Sequence, residues 1–198
     1  FIESLALWLK QFDQVHRQTA LELVANRLVY ISDEEFSHLV QMAYPDLIVQ
    51  ERMRLVAEEQ DIPPHRVGQI RKNPRFVELR LKSLYLGLSD GARTNEFRRG
   101  GDGDISNEQI WQAYELGLEK IADMTKELGT SLSDAGVPSD NPKFNLVWLL
   151  DDFSGSGNTY IRYDSEKKKF KGKIKKIYDQ LHRGDLIDTS HYEVYLLL

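Results

Sequence analysis

The stretch that most constrains this chain is Val147-Trp148-Leu149-Leu150, followed at once by Asp151-Asp152 and then by Phe153-Ser154-Gly155-Ser156-Gly157-Asn158-Thr159. An unbroken apolar run of this length predicts a strand buried on both faces, and therefore a parallel sheet with helices covering each side. In open sheets of that kind ligands bind where the carboxyl ends of strands run into loops. Here that loop begins with two acids, which can accept hydrogen bonds from vicinal hydroxyls. It continues with glycines, which let backbone N–H groups close around a phosphate. Ser156 and Thr159 add hydroxyl donors.

The rest of the chain fits an α/β fold with a helical N-terminal extension. With 198 residues, 41% of them hydrophobic, it is large enough for a real core. The net charge of −5 argues against a dedicated nucleic-acid or membrane-surface binder, so nucleic acid is not an expected partner and no membrane is. There is no cysteine and no apolar run of membrane-spanning length, which fits a cytoplasmic protein. Because the sequence starts at Phe1 and stops in the apolar Tyr195-Leu196-Leu197-Leu198, it reads as part of something longer.

Residues 1 to about 75 read as the helical region and 76–198 as the α/β domain, truncated at its C-terminus. Leu5, Trp8, Leu9 and Phe12, and then Leu21, Val24, Ala25 and Leu28, carry helical spacing, predicting helices packed on each other. Ser32 with Glu35 forms a capping box, Pro45 suits a first helical turn, and Asp61-Ile62-Pro63-Pro64 and Asn73-Pro74 are breaks. Leu84 to Leu88 predicts a short strand, Ser89-Asp90-Gly91-Ala92-Arg93-Thr94 a turn, and Phe97-Arg98-Arg99 through Asp104 a mobile, glycine-rich loop. Ser106 with Gln109 predicts the start of a helix whose buried stripe is Ile110, Tyr114, Leu118 and Ile121, and Ser131 to Pro142 predicts a surface connection. After Thr159 a helix is expected. The lysines from Lys167 to Lys176 are assigned to its wet face, because Ile174, Ile177, Tyr178 and Leu181 keep helical spacing. Glu193 to Leu198 predicts a further inner, parallel strand.

Other phosphate-binding loops do not fit. A nucleotide-triphosphatase loop needs a lysine where Asn158 stands, and a dinucleotide fingerprint needs a third glycine where Tyr160 stands. An aspartyl-nucleophile phosphatase would want an acid in place of Phe153. His16, His38, His65, His182 and His191 have no zinc-ligand spacing.

Four apolar residues, Asp151-Asp152, the short loop and the closing Gly157-Asn158-Thr159 closely resemble the phosphoribosyl-diphosphate motif of type I phosphoribosyltransferases. Gly155 departs from it, since the family commonly carries a threonine there. With the helical prefix, Leu88 to Arg93 and Phe97-Arg98-Arg99, the chain also resembles divergent phosphoribosyltransferase-like proteins of bacterial anti-phage conflict systems. The resemblance implies a mostly parallel sheet of the type I kind. It also implies binding of phosphoribosyl diphosphate or a related nucleotide, with transfer of ribosyl phosphate, hydrolysis of the donor, or non-catalytic sensing through a defence-system protein partner. By this resemblance Asp151 and Asp152 hold the ribose hydroxyls, residues 153–159 enclose the 5′-phosphate, and the following helix points its N-terminus at it. Ser89, Asp90, Gly91 and Ala92 would hold the leaving pyrophosphate with Arg93, while Arg98 or Arg99 closes over it. Mg²⁺ would be carried mainly by ligand oxygens, near Asp151 and Asp152.

Overall fold

The computed structural model describes residues 1–113 and 117–198. Two compact units are present, 1–36 and 37–198, so the division falls well before the expected boundary near residue 75. The helices from residue 37 to the first strand belong to the α/β unit, because their apolar faces supply one of its two cores.

The first unit contains α1 (Ile2–Leu9) and α2 (Arg17–Arg27). None of the residues of α1 is buried, and in α2 only Ala20 is, so the regular apolar spacing does not build a core within this unit. Trp8 and Phe12 instead meet edge to face, with centroids 4.8 Å apart.

α3 (Asp33–Ala43) opens on the predicted capping box: the Ser32 amide donates to Glu35 Oε2 at 2.8 Å and the Glu35 amide to Ser32 Oγ at 3.1 Å. Pro45 does not start a separate helix. It lies in a π-helical turn, Tyr44–Ile48, that joins α3 directly to α4 (Val49–Glu59), and the wider turn accommodates a residue that has no amide to donate. α5 (Val67–Lys72) and α6 (Pro74–Leu81) follow, the latter capped by Asn73, whose side chain accepts from the Arg75 amide at 2.9 Å.

The sheet is built from β1 (Ser83–Gly87), β2 (Ile110–Gln112), β3 (Leu146–Leu150) and, beyond a hairpin of β4 (Arg162–Asp164) and β5 (Lys169–Lys171), β6 (Glu193–Leu197). Its order is β2-β1-β3-β6 with every pairing parallel, as an α/β fold requires. The remaining helices are α7 (Thr94–Gly100), α8 (Leu118–Asp134) and α9 (Lys173–Arg183). β1 and β3 are buried along their whole length, and alternate residues face two different cores. Leu84, Leu86, Val147 and Leu149 pack with Ile121, Met124 and Leu128 of α8 and Ile177 and Leu181 of α9. Tyr85, Leu146 and Trp148 pack with Tyr44, Ile48, Val56, Phe76 and Leu79 of the earlier helices.

Several sequence expectations are corrected. Arg98 and Arg99 lie on α7, not on a loop; the glycine at 100 is needed because a Cβ there would come within 2.6 Å of the Gln41 carbonyl oxygen on α3. The Ser106–Gln109 capping box exists but closes one 3₁₀ turn, after which Ile110 enters β2 rather than a helix. Gln109 is buried, and its amide nitrogen reaches the carbonyls of Arg80 at 2.7 Å, Leu81 at 3.1 Å and Ser83 at 3.0 Å, which fixes the start of β2 against the start of β1. Tyr114 lies outside the described residues. Ser131 to Asp134 prolong α8, so the surface connection starts later. β6 is the edge of this sheet and not an inner strand, with Val194 50% and Leu196 40% exposed. Finally, the segment after Thr159 forms the β4–β5 hairpin before any helix begins. At Gly172, φ is +128° and a Cβ would stand 2.2 Å from the Tyr160 carbonyl oxygen, so α9 cannot extend backwards through this position.

Candidate functional site

The parallel pairing of β1 with β3 brings two loops together at the carboxyl edge of the sheet. The Leu88 amide donates to the Leu150 carbonyl at 2.8 Å, and the Asp151 amide to the Leu197 carbonyl at 3.1 Å, so the ladder continues past both strand ends. Ser89 and Asp151 therefore emerge side by side. Ser89 Oγ donates to Asp151 Oδ1 and lies 3.4 Å from Asp152 Oδ1. The Asp152 carboxylate packs directly over Gly91: a Cβ at 91 would fall 2.1 Å from its Oδ2. Residues 62 apart in sequence thus form one constellation.

The two acids are not equivalent. Asp151 has only 3% of its side chain exposed, and its acceptor capacity is used within the chain. Oδ1 takes Ser89 and lies 3.3 Å from the Asp152 amide; Oδ2 takes the Tyr160 hydroxyl at 2.8 Å and Lys173 Nζ at 3.3 Å. Burial disfavours the Asp151 charge, but the hydrogen bonds from Ser89 and Tyr160 and the Lys173 ammonium outweigh it and hold the carboxyl below its ordinary value. The same contact acts in the opposite direction on Tyr160, whose hydroxyl is pushed up to about 12 by burial and by its bond to Asp151. Asp152, by contrast, is exposed.

Tyr160 also lies 2.7 Å from the Phe153 carbonyl oxygen, so one phenol closes the loop back onto the acid that starts it. Between these points the chain turns through Gly157, at φ +73°. Among the described residues, the amides of Ser154, Gly155, Ser156 and Gly157 have no acceptor within the chain. The Asn158 amide lies 3.4 Å from Ser156 Oγ, and the Thr159 carbonyl accepts from the Lys173 amide at 3.0 Å. Phe153 is 74% exposed. A run of amides without an acceptor in the chain, next to an exposed carboxylate, has the donors and the acceptor that an anion carrying hydroxyls would need.

The N-terminus of α9 is less available than expected, since the Lys173 and Ile174 amides donate to the Thr159 and Tyr160 carbonyls at 3.0 and 3.1 Å. What α9 offers is side chains. Lys173, Lys176 and Arg183 line a cavity of about 480 Å³ beside Leu88 and Ala113, at the carboxyl ends of β1 and β2. Among the described residues Asp179 is the acid in that lining, and it is paired with Lys175.

Arg93 and Arg99 have partners within the chain. Arg93 adopts a left-handed φ of +44° and its guanidinium lies 3.1 Å from Ser37 Oγ on α3 and 3.5 Å from Glu96 on α7. Asp90, Gly91 and Ala92 form a 3₁₀ turn with Ala92 buried, Arg98 is half-buried, and the Arg99 Nε donates back to the Asn95 carbonyl at 3.3 Å. Tyr160 and Lys173 belong to the site and have no counterpart in the motif read from sequence. The placing of a tyrosine nine residues after Asp151 is a signal for the first; nothing local marks Lys173, which the hairpin returns to the loop.

No group of three or more His, Cys, Asp or Glu side chains that could hold a metal is found among the described residues. The donor set fits Mg²⁺ only as an ion carried mainly by phosphate oxygens and water, with Asp152 the open carboxylate beside it. No helix among the described residues is long and apolar enough to cross a membrane. Comparisons with protein-family models, with curated proteins and with solved structures returned no match.

Proposed function

We propose that this chain binds phosphoribosyl diphosphate, or a closely related sugar phosphate, at the carboxyl edge of β1 and β3, and transfers its ribosyl phosphate or hydrolyses it. The observation that carries this reading is the exposed Asp152 carboxylate lying over Gly91 and beside a loop with four unpaired amides. The carboxylate suits the ribose hydroxyls and the amides suit the 5′-phosphate. The two residue sets lie on opposite sides of Asp151, which holds them in register through Ser89 on one side and Tyr160 on the other. Its role is thus to organise the site, while Asp152 touches the sugar.

In the reaction the bond from C1′ to the pyrophosphate oxygen breaks, the electron pair leaves with pyrophosphate, and an acceptor or water bonds to C1′ and gives up a proton to bulk water or to the departing pyrophosphate. Positive charge grows on the ring as this happens. Asp152, lying over the Ser89–Ala92 turn, supplies negative charge on the sugar side, and the hydrogen bonds from Ser89 and Tyr160 together with Lys173 keep Asp151 ionised within a nearly buried position. Mg²⁺ bound to the diphosphate would neutralise charge on the leaving group. The basic cavity lined by Lys173, Lys176 and Arg183 favours an anionic group next to the ribose site.

A second reading, a sensor that binds the ligand without turnover, is favoured by Arg93, whose guanidinium lies at Ser37 and Glu96 and would have to leave them to clamp pyrophosphate. Calorimetric titration with phosphoribosyl diphosphate, coupled to a pyrophosphate assay, separates the readings. Transfer or hydrolysis requires pyrophosphate release that Asp152→Asn abolishes. Binding without release, weakened by the same substitution, identifies a sensor, and affinity unaffected by Asp152→Asn rejects the assigned site.

A further inference from the structure

The hairpin inserted between the candidate loop and α9 has a surface that neither the fold nor the sugar-phosphate reading uses. Between residues 162 and 176 there are eight basic side chains and two acidic ones, in a chain whose net charge is −5. Sequence periodicity assigns these lysines to the wet face of a helix, and α9 does begin at Lys173. The assignment does not hold for Lys167, Lys168 and Lys169, which lie at the tip of a two-stranded ribbon.

On one face of the ribbon Tyr163 and Phe170 are directly opposite each other, their rings 5.3 Å apart at 67°. They are 57% and 54% exposed, although cross-strand aromatic pairs usually cover something. The other face carries Arg162, Lys169 and Lys171. Lys171 is paired with Asp164, and the same carboxylate accepts from the Lys167 amide at 2.9 Å, which fixes the turn where Lys168 adopts φ +46°. Among the described residues Lys167, Lys168 and Lys169 pair with no carboxylate. The base of the ribbon is tied down by Arg162, whose Nη1 donates to the Asn158 carbonyl at 3.3 Å, and by the close approach of Gly172 to Tyr160. An exposed aromatic pair thus stands on a ribbon anchored at its base, with cations that have no carboxylate partner at its tip.

We propose that this hairpin binds single-stranded nucleic acid, with bases stacking on Tyr163 and Phe170 and phosphates reaching Lys167, Lys168 and Lys169. Unpaired bases present the π-faces that such a platform recognises, whereas those of a duplex are stacked away. Phosphates complement the local charge. A lipid surface fits less well, because Ser165, Glu166, Lys167 and Lys168 precede the aromatic pair at the tip and none of them would enter a bilayer. The surface is separate from the ribose site and does not depend on that reading.

The test is fluorescence anisotropy on the full chain with labelled oligo-U and oligo-dT about twelve nucleotides long, within the usual site-size range. A duplex of the same length and anionic phosphatidylserine vesicles are the controls. The expected result is binding of single strands with a log–log salt slope of about −2, for three phosphate contacts at roughly −0.7 each. Replacing Lys167, Lys168 and Lys169 together by alanine should flatten that slope. Tyr163→Ala with Phe170→Ala should weaken binding about ten-fold or more while keeping the slope, and Tyr163→Phe should retain affinity. If the alanine pair perturbs the hairpin, as circular dichroism would show, the Tyr163→Phe and lysine arms still decide. Absence of single-strand binding, equal affinity for duplex with no effect of the aromatic substitutions, or binding to vesicles alone would each overturn the proposal.

Discussion

Gly91→Ala tests the site's construction more sharply than removal of an acid, because it adds one methyl group and changes no charge. A Cβ at 91 would stand 2.1 Å from Asp152 Oδ2, 2.5 Å from Cγ and 2.9 Å from Oδ1, where van der Waals contact needs about 3.4 Å. The carboxylate must therefore move by more than an ångström. Asp152 is exposed and its side chain can swing outward, and Gly91 has no left-handed φ to be strained by alanine. The cost to the folded state is then small, and the reduced freedom of the unfolded chain offsets it by about 0.4–1 kcal/mol. Stability should stay within about 0.5 kcal/mol of the parent in urea denaturation. Binding should not be spared. A hydrogen bond to a charged partner is worth about 1.5–3 kcal/mol, so displacing the carboxylate from the ribose hydroxyls should weaken phosphoribosyl diphosphate by about 10- to 100-fold in calorimetric titration. Parental affinity together with parental stability would refute the placing of the sugar at Asp152. A large loss of stability would show instead that the carboxylate is locked over the glycine.

Three further outcomes follow from the same geometry. Tyr160→Phe removes the hydroxyl between Asp151 and the Phe153 carbonyl and should cost about 1–3 kcal/mol in denaturant unfolding, with a lower affinity for sugar phosphate because the loop loses its closing contact. Asp151 is held below its ordinary value, so the stability it contributes is present above the unfolded carboxyl value, near pH 4, and is lost as pH falls through the folded value. Asp151→Asn should therefore flatten the acid side of the stability–pH curve, and an unchanged curve would show that its partners do not stabilise the charge. Gly172→Ala puts a Cβ 2.2 Å from a backbone carbonyl at φ +128°, where neither side can yield cheaply, and should cost about 2 kcal/mol or more, read as a lower thermal midpoint.

The parts of this fold that were legible in the sequence are those where one local signal dominates. The unbroken apolar run Val147–Leu150 required a strand covered on both sides, and β3 is one, fully buried and flanked by parallel neighbours. The turn after β1 and the acids after β3 were put in one site by the resemblance alone, and the structure brings Ser89 and Gly91 against the acids. The hairpin was hidden by overlapping patterns. Helical spacing from Ile174 onward is real, but the lysines before it share only the composition of a wet helical face. Tyr163, Phe170 and Gly172 are the residues that mark a ribbon and its end, the aromatics by pairing across strands and the glycine by a backbone conformation side chains seldom adopt. Ile110 to Gln112 were misread for a similar reason, since a capping box signals any first turn and cannot state how many will follow. Lys173 reaches Asp151 through tertiary geometry alone, 22 residues on in the chain.

The central claim, that the sugar phosphate lies between Asp152 and the loop of unpaired amides, is tested most directly by following backbone amide resonances of the ¹⁵N-labelled chain during titration with phosphoribosyl diphosphate and Mg²⁺. Saturable shifts concentrated at Ser89, Gly91, Asp152 and Ser154 to Gly157 are expected. Shifts confined to other parts of the fold, such as the separate cavity lined by Tyr44, Asp46, Gly100 and Asp102, or no shifts at all in the folded protein, would contradict it.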